Sequence, residues 1–258
     1  MGSCWKLDCR VTRPSDSSPA CRHNQITRTP GMVHADKASG KPEEVGVSPR
    51  SQFGPPMSDL IEFHFDFISP YALPGLVAIE RVAAKHGRRI EMHPMLLGFS
   101  VTEVMGLPML IDTPLKSDYT LMDVPRVYNF IGVPYKAAVE RFVTSTLVPQ
   151  RLFCWMLGQN RARAQRAARE LLVANWSEGR DVSKLENALP HVVAAGFDEK
   201  AARAAPDDPS VKQDLEDRVQ ASIDRGVFGS PTFIVDGEMF WGSDRTHVID
   251  RWLEAGGW

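Results

Sequence analysis

The chain has 258 residues, 43% hydrophobic and 24% charged, the composition of a globular protein of one large or two small domains. Its formal net charge of −2 argues against a nucleic-acid or anionic-membrane partner, and no apolar run approaches the roughly 20 residues of a membrane span. Four cysteines and seven histidines are scattered without a Cys-x-x-Cys pair or a zinc-holding spacing, so no metal is expected. That cysteine usage, with no apolar signal core at the N-terminus, points to a cytoplasmic protein.

Residues 1–56 are rich in Ser, Pro, Gly, Arg and Lys, show no sustained period, and cannot bury enough apolar surface to offset the entropy of ordering. They are expected to form a disordered leader, dispensable for folding and activity, with the compact protein beginning at Met57. The first residues of the stretch Ile61 to Ala72 alternate apolar and polar, as a half-buried strand does, and Ser69-Pro70 then opens an amphipathic run. Leu73, Leu76, Val77, Ile79, Val82 and Ala83 recur at helical spacing to about His86, where Gly87 stops the helix. Arg89 to Leu96 alternates again, which completes a βαβ unit with a right-handed crossover.

From residue 99 to 206 no strand is expected. Helices are predicted over Leu121 to Ile131, Val148 to Asn175, Lys184 to Ala195 and Asp198 to Ala204, and together they form an all-helical insertion. Ser210 to Arg225 reads as one more helix. Two short β-rich runs joined by Asp236-Gly237 then give a strong hairpin signal, and a last helix is expected from Ser243 or Asp244 to about Leu253. The order is β-α-β, helical block, α, β-β-α, an α/β protein.

A strand that turns into a helix leaves unpaired N–H groups and the positive end of a macrodipole at the turn, with Ser69 placed there. That arrangement suits an anion. Ser69 could equally be a plain N-cap, and both readings stay open on local sequence. Tyr71, one residue into the helix, either lines a substrate side or packs in the core. The arginine-rich run from Arg161 to Arg169 lacks interleaved aromatics and reads as a solvated helix face.

Four motifs in order carry a resemblance: Phe65-Asp66-Phe67-Ile68-Ser69-Pro70-Tyr71, Thr113-Pro114-Leu115-Lys116-Ser117-Asp118-Tyr119, Gly226-Val227-Phe228-Gly229-Ser230-Pro231-Thr232-Phe233, and Gly242-Ser243-Asp244-Arg245. With them the chain resembles the kappa-class glutathione transferases and the 2-hydroxychromene-2-carboxylate isomerases. The resemblance implies a thioredoxin-like βαβ…ββα core formed by residues 57–98 and 207–258, with the insertion domain at 99–206. It implies glutathione as cofactor and a homodimer. It further implies that Ser69 donates a hydrogen bond to the glutathione sulfur, that Pro231 is the cis-proline facing the turn, and that the backbone of Ser230 pairs with the cysteinyl part. Ser243 and Asp244 match the positions that hold the γ-glutamyl end, and Lys116 the lysine near the glycyl carboxylate.

Two positions depart from the family pattern. Leu107 stands where an Asn is frequent, and Ser145 is the nearest counterpart of a second Asn on the substrate side, so glutathione affinity or substrate choice is expected to differ. Dithiol members of the fold carry Cys-Pro-x-Cys where this chain has Ser69-Pro70-Tyr71-Ala72, which leaves neither an attacking nor a resolving thiol at that turn. The expected activity is a glutathione-dependent isomerisation of aromatic-degradation intermediates through a transient glutathione adduct. The alternatives are conjugation of electrophiles by a kappa-like transferase and a non-catalytic thioredoxin-like binding module.

Overall fold

The computed structural model describes residues 59–137 and 145–258; the expected leader at 1–56 lies outside the described residues. Four strands make one sheet in the order β2-β1-β3-β4. Strand β1 (Leu60–Phe65) runs parallel to β2 (Arg89–Pro94), with Phe63 opposite Met92, and antiparallel to β3 (Thr232–Val235), with Phe63 opposite Phe233. Strand β4 (Glu238–Trp241) closes the hairpin, and its turn residues Asp236 (φ 50) and Gly237 (φ 86) adopt the left-handed pair that the Asp-Gly signal demands. Arg88 grips the Asp236 carboxylate through two bonds of 2.9 and 3.0 Å.

Helix α1 (Ala72–Lys85) crosses from β1 to β2. Between β2 and β3 lie α2 (Lys116–Ile131), α3 (Leu147–Gln159), α4 (Arg161–Trp176), α5 (Leu185–Ala194), α6 (Glu199–Ala204) and α7 (Pro209–Asp224), and α8 (Thr246–Ala255) ends the chain. The fold is thus a thioredoxin-like mixed sheet with a helical insertion between β2 and β3, as the order of elements predicts. No helix among the described residues is long and apolar enough to cross a membrane.

The period of two in β1 separates two environments. Ile61, Phe63 and Phe65 are fully buried on one face, where Phe63 stacks on Phe65 at 5.4 Å and Phe153 of α3 meets Phe65 edge-on at 5.4 Å. On the other face the parallel register sets Glu62 beside Glu91 and His64 beside His93, and the two imidazoles stack at 4.7 Å. Helix α7 covers this polar face: Ser222 Oγ lies 2.9 Å from His64 Nδ1, and Arg225 pairs with Glu62. His64 and Arg225 hold the Glu62 carboxyl down at about 2, whereas burial, with help from His64, pushes His93 down to about 4. The outer edge of β2 is closed by Gln165 of α4, which accepts from Met92 N–H at 2.8 Å and donates to the Ile90 carbonyl at 3.3 Å.

Four boundaries differ from the sequence reading. The helix expected from Val148 to Asn175 is two, because Asn160 (φ −156) leaves the helical region and its side chain accepts from Arg163 N–H at 3.0 Å, capping α4. Helix α2 starts at Lys116 rather than Leu121. Strand β2 ends at Pro94, which has no N–H to continue a ladder. Ser243 and Asp244 lie in a 3-10 turn, Ser243–Arg245, and α8 begins only at Thr246, so neither residue sits at that helix's first turn.

Candidate active site at the first strand-to-helix turn

Residues 66–71 connect β1 to α1, and the insertion holds this connection from behind. Gln150 of α3 donates to the carbonyls of Phe65 and Met95 at 3.1 and 3.0 Å, and Trp176 of α4 donates to the Phe67 carbonyl at 2.9 Å. Buried backbone carbonyls require such donors, so the turn's shape is secured by side chains far away in sequence. Asp66 is buried as well. Its carboxylate accepts from Leu97 N–H at 2.7 Å and Ile68 N–H at 3.2 Å, while burial pushes its pKa up against those bonds.

Ser69 is not a side-chain N-cap. The residue at the N-cap position of α1 is Tyr71, with no side-chain cap bond, and the Ser69 hydroxyl instead crosses the turn and donates to the Ser230 carbonyl at 2.8 Å. Ser230 answers through its own hydroxyl, which accepts from Asp66 N–H at 2.9 Å. The Ser230-Pro231 peptide is cis, and Pro231 packs so closely on α1 that a Cβ at Gly75 would lie 2.8 Å from its Cγ. Glycine at 75 is therefore a packing requirement. Ser69, Ser230 and Pro231 meet at one place, and Ser69 is only 2% exposed.

The other predicted residues are more open. The Tyr71 hydroxyl donates to Asp123 Oδ2 at 2.9 Å, and Tyr119 donates to the other oxygen at 3.2 Å, which ties the start of α1 to α2. Burial first, then Asp123, pushes the Tyr71 pKa up, and the Asp244 charge adds to this, so Tyr71 stays a neutral phenol. Asp244 is exposed and pairs with Arg245 at 3.1 Å. Ser243 offers its carbonyl to Thr246 Oγ1 at 3.3 Å. Lys116 opens α2 immediately after Leu115 (φ 68), is exposed, and has no ion-pair partner among the described residues. Ser145 is exposed ahead of α3, with its hydroxyl 3.5 Å from Leu147 N, and no described contact joins it to Ser69. Leu107 is exposed and brings no polar group.

Sequence reasoning passed over Asp66, Asp123, Gln150 and Trp176. Asp123 had a signal, since Lys116, Tyr119 and Asp123 share one face of a helix at i, i+3 and i+7. Gln150 and Trp176 had none, because their partners lie 85 and 109 residues away. Cys154 is buried, which pushes its thiol up to about 12, and it stands away from the turn on α3. Among the described residues no cluster of His, Cys, Asp and Glu is disposed to hold a metal ion. A cleft of about 240 Å³ between α1, β2 and α4 is lined by Leu76, Ile90, Met92 and Arg169 and includes neither Ser69 nor Ser230.

A mixed sheet with a cis-proline facing the first βα turn, and a helical insertion behind that turn, defines a thioredoxin-like protein whose turn holds a hydroxyl in place of thiols. The family model of the DSBA-like thioredoxin domain matches residues 60–254, and the chain belongs to that family. It is 26% identical over 196 residues to a 2-hydroxychromene-2-carboxylate isomerase of Pseudomonas putida, covering 74% of this chain and 92% of the relative. It is 24% identical over 214 residues to glutathione S-transferase kappa 1 of Rattus norvegicus, covering 77% and 94%. Among solved structures, that of a 2-hydroxychromene-2-carboxylate isomerase superposes with a TM-score of 0.67 at 23% identity, over 76% of this chain and 95% of the other.

Proposed function

We propose that the protein is a glutathione-dependent isomerase of the 2-hydroxychromene-2-carboxylate type. The observation that carries this reading is the Ser69 hydroxyl, seated beside the Ser230 carbonyl and cis-Pro231 at a turn without cysteine. The turn fits glutathione on two counts. The Ser230 N–H carries no protein hydrogen bond among the described residues, so it can donate to the main chain of an extended peptide. Lys116, exposed and without an ion-pair partner among the described residues, offers its ammonium to a carboxylate.

In this reading Ser69 provides the hydrogen bond for a thiolate, Ser230 pairs with the cysteinyl backbone, Lys116 meets the glycyl carboxylate, and Ser243 and Asp244 take the γ-glutamyl end. Bound there, glutathione supplies a nucleophilic sulfur that adds reversibly to a conjugated double bond, lets the resulting single bond turn, and leaves unchanged. The protein contributes proximity and thiolate stabilisation and undergoes no redox change. In this reading Tyr71, neutral and held by Asp123, is assigned to the substrate side.

The test is to mix the protein with glutathione and 2-hydroxychromene-2-carboxylate and follow the ultraviolet spectrum while assaying free glutathione. Interconversion with glutathione conserved supports the isomerase. Consumption of glutathione into a thioether would make the protein a transferase, and failure to bind glutathione at millimolar concentration by calorimetry would reduce it to a binding module.

A further inference from the structure

A serine hydroxyl has one proton to donate, and Ser69 has already committed its own to the Ser230 carbonyl at 2.8 Å. In that state the oxygen presents only lone pairs to an incoming sulfur, and lone pairs do not stabilise a thiolate. The Ser69 backbone is pinned on both sides, its N–H by the Asp66 carbonyl at 3.0 Å and its carbonyl by Ala72 N–H at 3.1 Å. Rotation about χ1 is the freedom left. Turning the hydroxyl toward a ligand would strip a carbonyl of its donor where Ser69 is 2% and Ser230 9% exposed, and an unsatisfied buried acceptor is costly. The hydroxyl therefore leaves only when another donor takes its place.

We propose that the ligand itself is that donor: a cysteinyl amide N–H pairs with the Ser230 carbonyl, displaces the Ser69 hydroxyl, and so releases it to the sulfur carried on the same residue. The inference rests on the reading that this turn holds glutathione, and it adds a rule of selection. Thiols whose Cα bears an acylated nitrogen are activated; thiols without that N–H dock beside an oxygen whose proton is spent. On activation the S–H bond breaks, the proton passes to solvent, and the sulfur keeps the electron pair and accepts the Ser69 O–H.

The experiment compares glutathione with its depsipeptide analogue, in which an ester oxygen replaces the cysteinyl N–H. Each is held at saturation, checked by calorimetry, and the bound thiol is titrated through its thiolate ultraviolet absorbance. The expected result is a thiol pKa lower by about one unit with glutathione than with the ester, a tenfold difference in thiolate fraction, and loss of that difference in a folded Ser69→Ala variant. Equal depression with both ligands overturns the displacement while leaving the glutathione site intact; failure of wild-type protein to bind glutathione overturns the site itself. Should the ester bind too weakly to titrate, S-methylglutathione, which has no thiol, decides the matter. Ser69→Ala should bind it at least as tightly as wild type, since nothing then competes for the carbonyl, and weaker binding by the variant overturns the displacement.

Discussion

At one end of the proposed glutathione seat, Ser69 and Ser230 are buried and bonded to each other and to the turn after β1, and Pro231 packs on α1, with Gln150 and Trp176 bracing the turn from the insertion. At the other end Lys116, Ser243 and Asp244 stand on a helix start and a 3-10 turn, exposed or only half-covered and without bonds to that core. The difference teaches where each task is placed. Stabilising a thiolate needs a hydroxyl oxygen fixed at the right place, and core packing holds the Ser69 backbone there while leaving its O–H to be redirected by the ligand. Gripping flexible carboxylates and an ammonium tolerates mobile side chains in water, where each contact contributes little.

The contrast breaks first at Gly75. Gly75→Val drives branched carbons into the ring of Pro231 and toward Phe233, and is expected to cost about 1–3 kcal/mol in urea unfolding and to abolish glutathione binding measured by calorimetry. Ser69→Ala leaves the fold in place but takes the donor from the buried Ser230 carbonyl, at a cost of about 1–3 kcal/mol in stability. Loss of one charge-assisted hydrogen bond, about 1.5–3 kcal/mol, should lower turnover roughly 10–100-fold and move the acidic limb of the pH–rate profile upward. An unmoved profile would deny Ser69 its part in holding the thiolate.

Acid separates the site from the opposite face of the sheet. His93 has a folded pKa of about 4 against 6.5 in the open chain, so below 6.5 the unfolded chain takes up a proton that the folded one refuses. Stability therefore falls as pH drops from about 6.5 to about 4. Glu62, held at about 2 against 4.5, contributes stability that is present above 4.5 and lost as pH falls further toward 2. His93→Gln should flatten the upper window of a urea-midpoint-against-pH curve and leave the lower one, and a curve that keeps both windows would refute the assignment. The smallest effect is expected from Lys116→Ala: a severalfold rise in KM for glutathione, about 0.2–1 kcal/mol, with kcat unchanged.

Much of this arrangement is legible in the chain because it is local. Alternation in β1 and β2, the Asp236-Gly237 hairpin and the helical stripe of α1 depend on neighbours within a few residues, and each appears in its expected place, although β2 stops early at Pro94. The break at Asn160 was missed because apolar spacing runs across it, and only the Asn160 cap shows that the chain turns there. The place of Ser243 and Asp244 ahead of α8 was missed for a similar reason, since Gly242 (φ 108) delays the helix by a 3-10 turn that composition does not announce.

By itself the sequence determined that the first turn has a hydroxyl and no thiol, that a Ser-Pro lies before the third strand, and that the order of elements is thioredoxin-like. Only the tertiary structure decided what the Ser69 hydroxyl does. Its partner lies 161 residues away, and the choice between capping a helix and crossing to a carbonyl depends on where folding brings Ser230. Helix propensity and capping preference are properties of a few adjacent residues, whereas the direction of a buried hydroxyl is set by whichever acceptor the packed core places within reach.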